Sequence, residues 1–131
     1  MRKLSLSPCP RPMIFIIDDD CDIRDSLRFL LSCESLASRS FATANQFLET
    51  QMVTDQDFLI TDMHLPGMSG LELLAAVRKR GLTLPVVLMT GQASSQLRRR
   101  ALASGVTAFL EKPLKDTEIL SLIHQEDPSG R

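Results

Sequence analysis

The stretch Ile14–Leu27, IFIIDDDCDIRDSL, runs four apolar residues straight into Asp18, Asp19 and Asp20, with Asp22 close behind. Ile14 to Ile17 is short, rich in β-branched residues and unalternating, which is the pattern of a strand buried on both faces. Ile23, Leu27, Leu30 and Leu31 then recur at helical spacing and predict a helix over 22–33. Carboxylates this close together repel and raise one another's pKa. A positive partner is therefore expected where the strand ends.

The same alternation continues along the chain. Ala37 to Phe41 is a weaker second strand, interrupted by Ser and Arg, and 43–49 a short second helix. Phe58 to Thr61 predicts a third strand ending on Asp62, after which HLPGMSG turns the chain. Ser69 followed by Glu72 fits a capping box that opens a helix to about Arg80, with Gly81 as its stop. PVVLMT, Pro85 to Thr90, is a fourth strand; a helix over 93–103 stops at Gly105. Thr107 to Glu111 is a fifth strand ending at Lys112-Pro113, and Leu114, Ile119, Leu122 and Ile123 mark a last helix. Strands alternating with helices make an α/β fold whose parallel sheet is wrapped by helices.

Size and composition set the outer bounds. A chain of 131 residues with 44% apolar content builds one domain with one core. Fifteen basic against sixteen acidic residues leave a net charge of -1, so there is no global attraction for nucleic acid or an anionic membrane. Cys9, Cys21 and Cys33 are odd in number and lack zinc-type spacing, as expected of reduced thiols in a cytoplasmic protein. Residues 1–12 read as a flexible leader, with Met13 as an alternative start. The leader lacks the apolar run of about 7 to 15 residues that a signal peptide needs, and its LSPC lacks the context of a lipid-attachment site. No stretch approaches the roughly 18 to 20 apolar residues of a membrane span. The domain is expected over 13–124, with 125–131 a frayed tail.

In open parallel sheets the ligand crevice lies outside the carboxyl ends of the strands, so Asp18, Asp19, Asp62, Thr90 and Lys112 should converge although they are far apart in sequence. Three acids, a hydroxyl and an ammonium in one crevice describe a site for a hard divalent cation, Mg²⁺, together with a phosphoryl group: oxygens take the metal and lysine the phosphate. The expected positive partner is the metal. Taken singly, each residue has an ordinary role as a turn cap, a strand-end hydroxyl or a surface charge; convergence is what raises them.

IIDDDCDIRDSL, LITDMHLPGMSG, VVLMTGQ and FLEKP together resemble the motifs of a two-component response-regulator receiver domain, with LPGMSGLELL, MTG and FLEKP similar to receivers of the FixJ and NarL kind. The resemblance covers about residues 13–124. It implies a doubly wound five-stranded sheet of flavodoxin-like order 2-1-3-4-5 with five helices. It further implies that Asp62 is the phosphoacceptor, that Asp18, Asp19, Asp62 and the backbone carbonyl of His64 hold Mg²⁺, and that Thr90 and Lys112 bind the phosphoryl oxygens. Thr90 and Phe109 take the family's switch positions. The implied partner is a sensor histidine kinase or a phosphotransfer protein, and the implied chemistry is self-catalysed phosphorylation and dephosphorylation on Asp62, not that of a classical enzyme. The His64 side chain is expected to be exposed and to tune the phosphate's lifetime, and Cys21 to be a small filler of the metal loop.

The same residues admit other readings. A calcium loop of the EF-hand type fits Asp18, Asp20 and Asp22 but meets Ile23 where Gly is needed and Phe29 where Glu is needed. A HAD-like phosphatase would place its nucleophile after the first strand, yet meets Arg24 at the end of its signature and leaves Asp62 without a role. A pseudo-receiver that binds partners without phosphotransfer is the alternative of another class.

Two departures from the family pattern stand out. The chain stops soon after Ile123, with no room for a helix-turn-helix module, as a free-standing receiver or a piece of a longer regulator would. Arg98, Arg99 and Arg100 crowd the fourth helix, spread about 100° apart as a largely solvated face. From these follow an expected homodimer or acidic partner through residues 93–112, and no specific DNA binding by this chain alone.

Overall fold

The structure, a computed structural model, describes residues 12–126; the expected leader up to residue 11 and most of the expected tail lie outside the described residues. Strand β1 (Ile14–Ile17) is followed by helix α1 (Cys21–Cys33), β2 (Ser38–Phe41), α2 (Ala44–Glu49) and β3 (Phe58–Asp62). Two short strands come next, β4 (His64–Leu65) and β5 (Met68–Ser69), then α3 (Gly70–Lys79), β6 (Val86–Thr90), α4 (Ser95–Ala103), β7 (Ala108–Glu111) and α5 (Asp116–Glu126). The main sheet is five-stranded and parallel in the order β2-β1-β3-β6-β7, and β4 and β5 form a separate antiparallel pair. This is the flavodoxin-like order, with the hairpin adding two labels to the count. That hairpin occupies the stretch read from sequence as a turn alone, because strands of two residues each are too short to show any periodicity.

The three central strands β1, β3 and β6 are buried at every position, as their unbroken apolar runs require. Their side chains alternate between two apolar layers. Phe15, Ile17, Leu59, Val86 and Leu88 face Phe47 of α2, Leu73, Leu74 and Val77 of α3, and Ala101 of α4. Ile14, Ile16, Ile60, Val87 and Met89 face Leu27 and Leu31 of α1 and Ile119 and Ile123 of α5. Each such side chain, fully buried, contributes about 1.5–3 kcal/mol relative to exposure. Edge strand β2 is only half-buried, which is why Ser38, Arg39 and Ser40 are tolerated there.

The helices begin where small polar side chains take the first free N–H groups. Asp20 accepts from Asp22 N at 2.9 Å, Thr43 from Gln46 N at 3.1 Å and Ser94 from Leu97 N at 3.1 Å. The expected capping box is formed, Ser69 Oγ accepting from Glu72 N and Glu72 Oε1 from Ser69 N. Ser94 as cap makes α4 start two residues later than its apolar spacing predicts. Helix α5 continues to Glu126, into the segment expected to fray. Among the described residues no helix is long and apolar enough to cross a membrane.

Candidate functional site

Parallel register carries the sequence-predicted residues to one edge of the sheet. Ile17 pairs with Thr61, Asp62 with Met89 and Thr90 with Glu111, so the residues just past or at these strand ends share one crevice. Asp18 is fully buried, Asp62 nearly so, and Asp19 exposed. Carboxylate oxygens of the three lie within 4.8 Å of one another. Lys112 closes the group from the last strand, its Nζ 2.9 Å from Asp18 Oδ2 and 3.4 Å from Asp62 Oδ1. Lys112 itself is fixed by its backbone N–H, which donates to Thr90 O at 2.7 Å.

The electrostatics follow from this crowding. Burial lifts the Asp62 carboxyl above its ordinary range; the Lys112 charge opposes the lift, the Asp18 charge reinforces it, and a hydrogen bond from the His64 backbone N–H opposes it again. Burial alone would lower Lys112, but its hydrogen bond to Asp18 and the charges of Asp62 and Asp18 outweigh that and raise it. When ionised, three carboxylates face one ammonium and leave an excess of two negative charges. Oxygen donors with that excess suit a hard divalent cation of the Mg²⁺ type, which takes carboxylates and keeps part of its water. Asp18, Asp19 and Asp62 could therefore hold one.

The remaining residues are less uniform. Thr90 is fully buried, and its Oγ1 accepts from Gln92 N at 3.1 Å, so the hydroxyl serves the following turn and is not bonded to Asp62 or Lys112. The His64 side chain is exposed on the β4–β5 hairpin, with its backbone N–H turned to Asp62. Phe109 is buried. The Arg98 guanidinium lies over its ring, 5.3 Å from the centroid, and donates to Phe109 O at 3.5 Å. All three arginines of α4 are exposed, yet Arg98 is not merely a solvated charge. Cys21 is exposed at the first turn of α1.

Three features escaped sequence reasoning. Lys112 pairs with Asp18, 94 positions away, and nothing in the sequence ties the two together. Arg24 Nη1 donates to the Asp18 carbonyl at 2.7 Å, a contact to backbone that no residue pattern encodes. Gly70 is needed where α3 passes the site: a Cβ there would lie 2.8 Å from Asp62 O and 2.8 Å from Leu88 Cδ2. The last had a signal, since Gly follows Ser69 directly in a capping box, but the reason lies in the neighbouring strand.

Residues 14–124 match the Response regulator receiver domain family. The chain is 38% identical over 110 residues to the transcriptional regulatory protein FixJ of Azorhizobium caulinodans, covering 84% of this chain and 52% of that one. It is 31% identical over 111 residues to the transcriptional regulatory protein TdiR of Thauera aromatica, covering 85% of this chain and 49% of that one. The chain thus spans about half the length of these curated relatives. Among solved structures, FixJ-N superposes with a TM-score of 0.80 at 30% identity, over 90% of this chain and 94% of that one.

Proposed function

The chain belongs to the response-regulator receiver family of two-component signalling, and from that premise we propose that it is a phosphorylatable switch whose phosphoacceptor is Asp62. The observation that carries the proposal is the grouping of Asp18, Asp19 and Asp62 within 4.8 Å, with Lys112 Nζ 3.4 Å from Asp62 Oδ1. A crevice of acids with one ammonium serves covalent phosphoryl transfer: a carboxylate is the nucleophile and the remaining groups manage charge.

A carboxylate oxygen of Asp62 attacks phosphorus in line, the new O–P bond forms as the P–N bond to a partner's phosphohistidine breaks, and the electron pair leaves with the imidazole. The product is an acyl phosphate. Asp18 and Asp19, with Asp62 and the His64 carbonyl, would hold Mg²⁺, whose contribution when bound is to neutralise charge on the transferring oxygens. Lys112 supplies the second positive charge from the end of edge strand β7, and its hydrogen bond to Asp18 keeps it in reach of the Asp62 oxygen. Near-complete burial of Asp62 keeps bulk water from the carboxylate. Thr90, at the adjacent strand end, takes a phosphoryl oxygen once its hydroxyl leaves Gln92, and Phe109 follows into the space so opened. Water attacking phosphorus restores the carboxylate and resets the switch.

The phosphodonor is a sensor histidine kinase or a phosphotransfer protein, the compartment is the cytoplasm, and the output is a changed binding face around residues 93–112. The test is direct. Protein given acetyl phosphate and Mg²⁺ gains one phosphoryl group by intact mass, labile to hydroxylamine, and Asp62→Asn abolishes the gain. A wild-type chain that no phosphodonor modifies would instead be an interaction module working without phosphotransfer.

A further inference from the structure

Arg24 is the fourth residue of α1, and a cation in the first turn of a helix faces the positive end of the helix dipole. Its placement therefore needs a reason. Helical side chains lean back toward the N-terminus, and this one leans far enough for Nη1 to donate to the carbonyl of Asp18 at 2.7 Å. The peptide it grips is the one that joins Asp18 to Asp19.

The two acids on either side of that peptide are held very differently. Asp18 is tied on all sides: its N–H donates to Phe41 O, and its carboxylate accepts from Asp20 N at 2.9 Å and from Lys112 Nζ at 2.9 Å. The Asp19 carboxylate makes no hydrogen bond or ion pair among the described residues and is exposed, yet it stands within 4.8 Å of the oxygens of Asp18 and Asp62. Nothing at the side-chain level puts it there. The peptide that precedes it is held at its carbonyl by Arg24, and the residue that follows it donates its N–H to Asp18 Oδ1 at 2.9 Å.

We infer that Arg24 is a positioning residue for the metal-binding carboxylates, acting through the Asp18 carbonyl to aim Asp19 at the cluster. The inference rests on the metal reading given above, and it has a sign that a bare charge does not share. As a charge, Arg24 repels a divalent cation, so removing it would tighten metal binding. As a clamp, it pre-arranges a ligand, so removing it weakens binding, by roughly tenfold if it behaves like the outer-shell partners of other metal sites.

The test uses the full chain and Mg²⁺ alone. Calorimetric titration of wild type, Arg24→Met and Arg24→Lys gives the Mg²⁺ affinities, and ¹⁵N relaxation of the Asp19 amide without metal reports the order of the loop. Expected are a roughly tenfold weaker affinity in Arg24→Met, recovery in Arg24→Lys, which keeps a cationic donor on a long side chain, and a loss of order at Asp19 in the Met variant only. Should Arg24→Met fail to fold by circular dichroism, Arg24→Ala, which has no donor, takes its place in the comparison. An affinity equal to or tighter than wild type in Arg24→Met overturns the inference, whatever the loop does. Wild-type protein that takes up no Mg²⁺ would sink the metal reading instead, and unchanged order at Asp19 would then sink the clamp as well.

Discussion

Gly70→Ala puts one methyl group into the tightest approach around the site. Built on the existing backbone, the new Cβ meets Asp62 O at 2.8 Å, Leu88 Cδ2 at 2.8 Å and Met63 Cα at 3.1 Å. The Leu88 methyl can swing aside, but the other two atoms are backbone of the segment that carries Asp62. They are held there because Gly70 N donates to Met63 O at 2.8 Å and Met63 N to Met89 O at 2.7 Å. Forcing a methylene-sized group into such a contact costs about 1–3 kcal/mol. Alanine gives back about 0.4–1 kcal/mol by restricting the unfolded chain, since Gly70 does not adopt a left-handed conformation. The net is a loss of roughly 1–2 kcal/mol, or roughly 3–10 °C in Tm for a domain of this size. Because the chain has neither Trp nor Tyr, far-UV circular dichroism is the suitable probe. Gly91→Ala is the control, for a Cβ there meets nothing within 4 Å and its backbone is equally ordinary. The phosphorylation rate of Gly70→Ala with acetyl phosphate should fall as well, because relief of the contact displaces the Asp62 main chain. A Gly70→Ala protein as stable as wild type and phosphorylated as fast would refute the packing argument.

Asp19→Ala should weaken Mg²⁺ uptake and slow phosphorylation while leaving metal-free stability within about 0.5 kcal/mol, since it removes an exposed carboxylate from a crowd of like charges; a marked drop in Tm would mean that the acid is structural. Asp57→Ala should destabilise by about 2–4 kcal/mol in urea unfolding, because the buried Asp57 carboxylate accepts from Met13 N at 3.0 Å and Thr54 N at 2.8 Å, and both donors would lose it. Phosphorylation should survive that change in whatever fraction stays folded. Replacing Arg98, Arg99 and Arg100 by Ser should weaken self-association or acidic-partner binding of the beryllofluoride-activated protein without blocking its activation. Sedimentation that is identical for the two proteins, with and without beryllofluoride and at low and high salt, would remove the arginines from the output.

How much could be read from sequence depended on how many faces of an element are buried. β1, β3 and β6 announced themselves because a strand covered on both sides must be apolar throughout, and their ends then placed Asp18, Asp62 and Thr90. The edge strand β2 was fainter because its outer positions answer to solvent. The cap residues Ser69 and Glu72 were legible since their partners lie in the same turn. The hold of Asp57 on Met13 was invisible, because that residue is 44 positions away and a backbone donor has no residue type. Arg24 was met only as a mismatch to another motif, for the same reason: its acceptor is a carbonyl. Lys112 was placed correctly at the strand end, but its hold on Asp18 depends on two chain segments meeting, which spacing along the chain cannot express.

That ion pair between Lys112 and Asp18 has a consequence for the order in which the molecule comes into being. A chain leaving the ribosome is made from β1 onward, and all three carboxylates have emerged once Asp62 has. The ammonium that offsets one of them arrives only with β7, the far edge and last-made strand of this sheet. Until then the acidic nest lacks the ammonium that pairs with Asp18 and Asp62, and strand β6 is uncovered on one edge. Lys112 can thus reach Asp18 and Asp62 only in a chain whose sheet is whole.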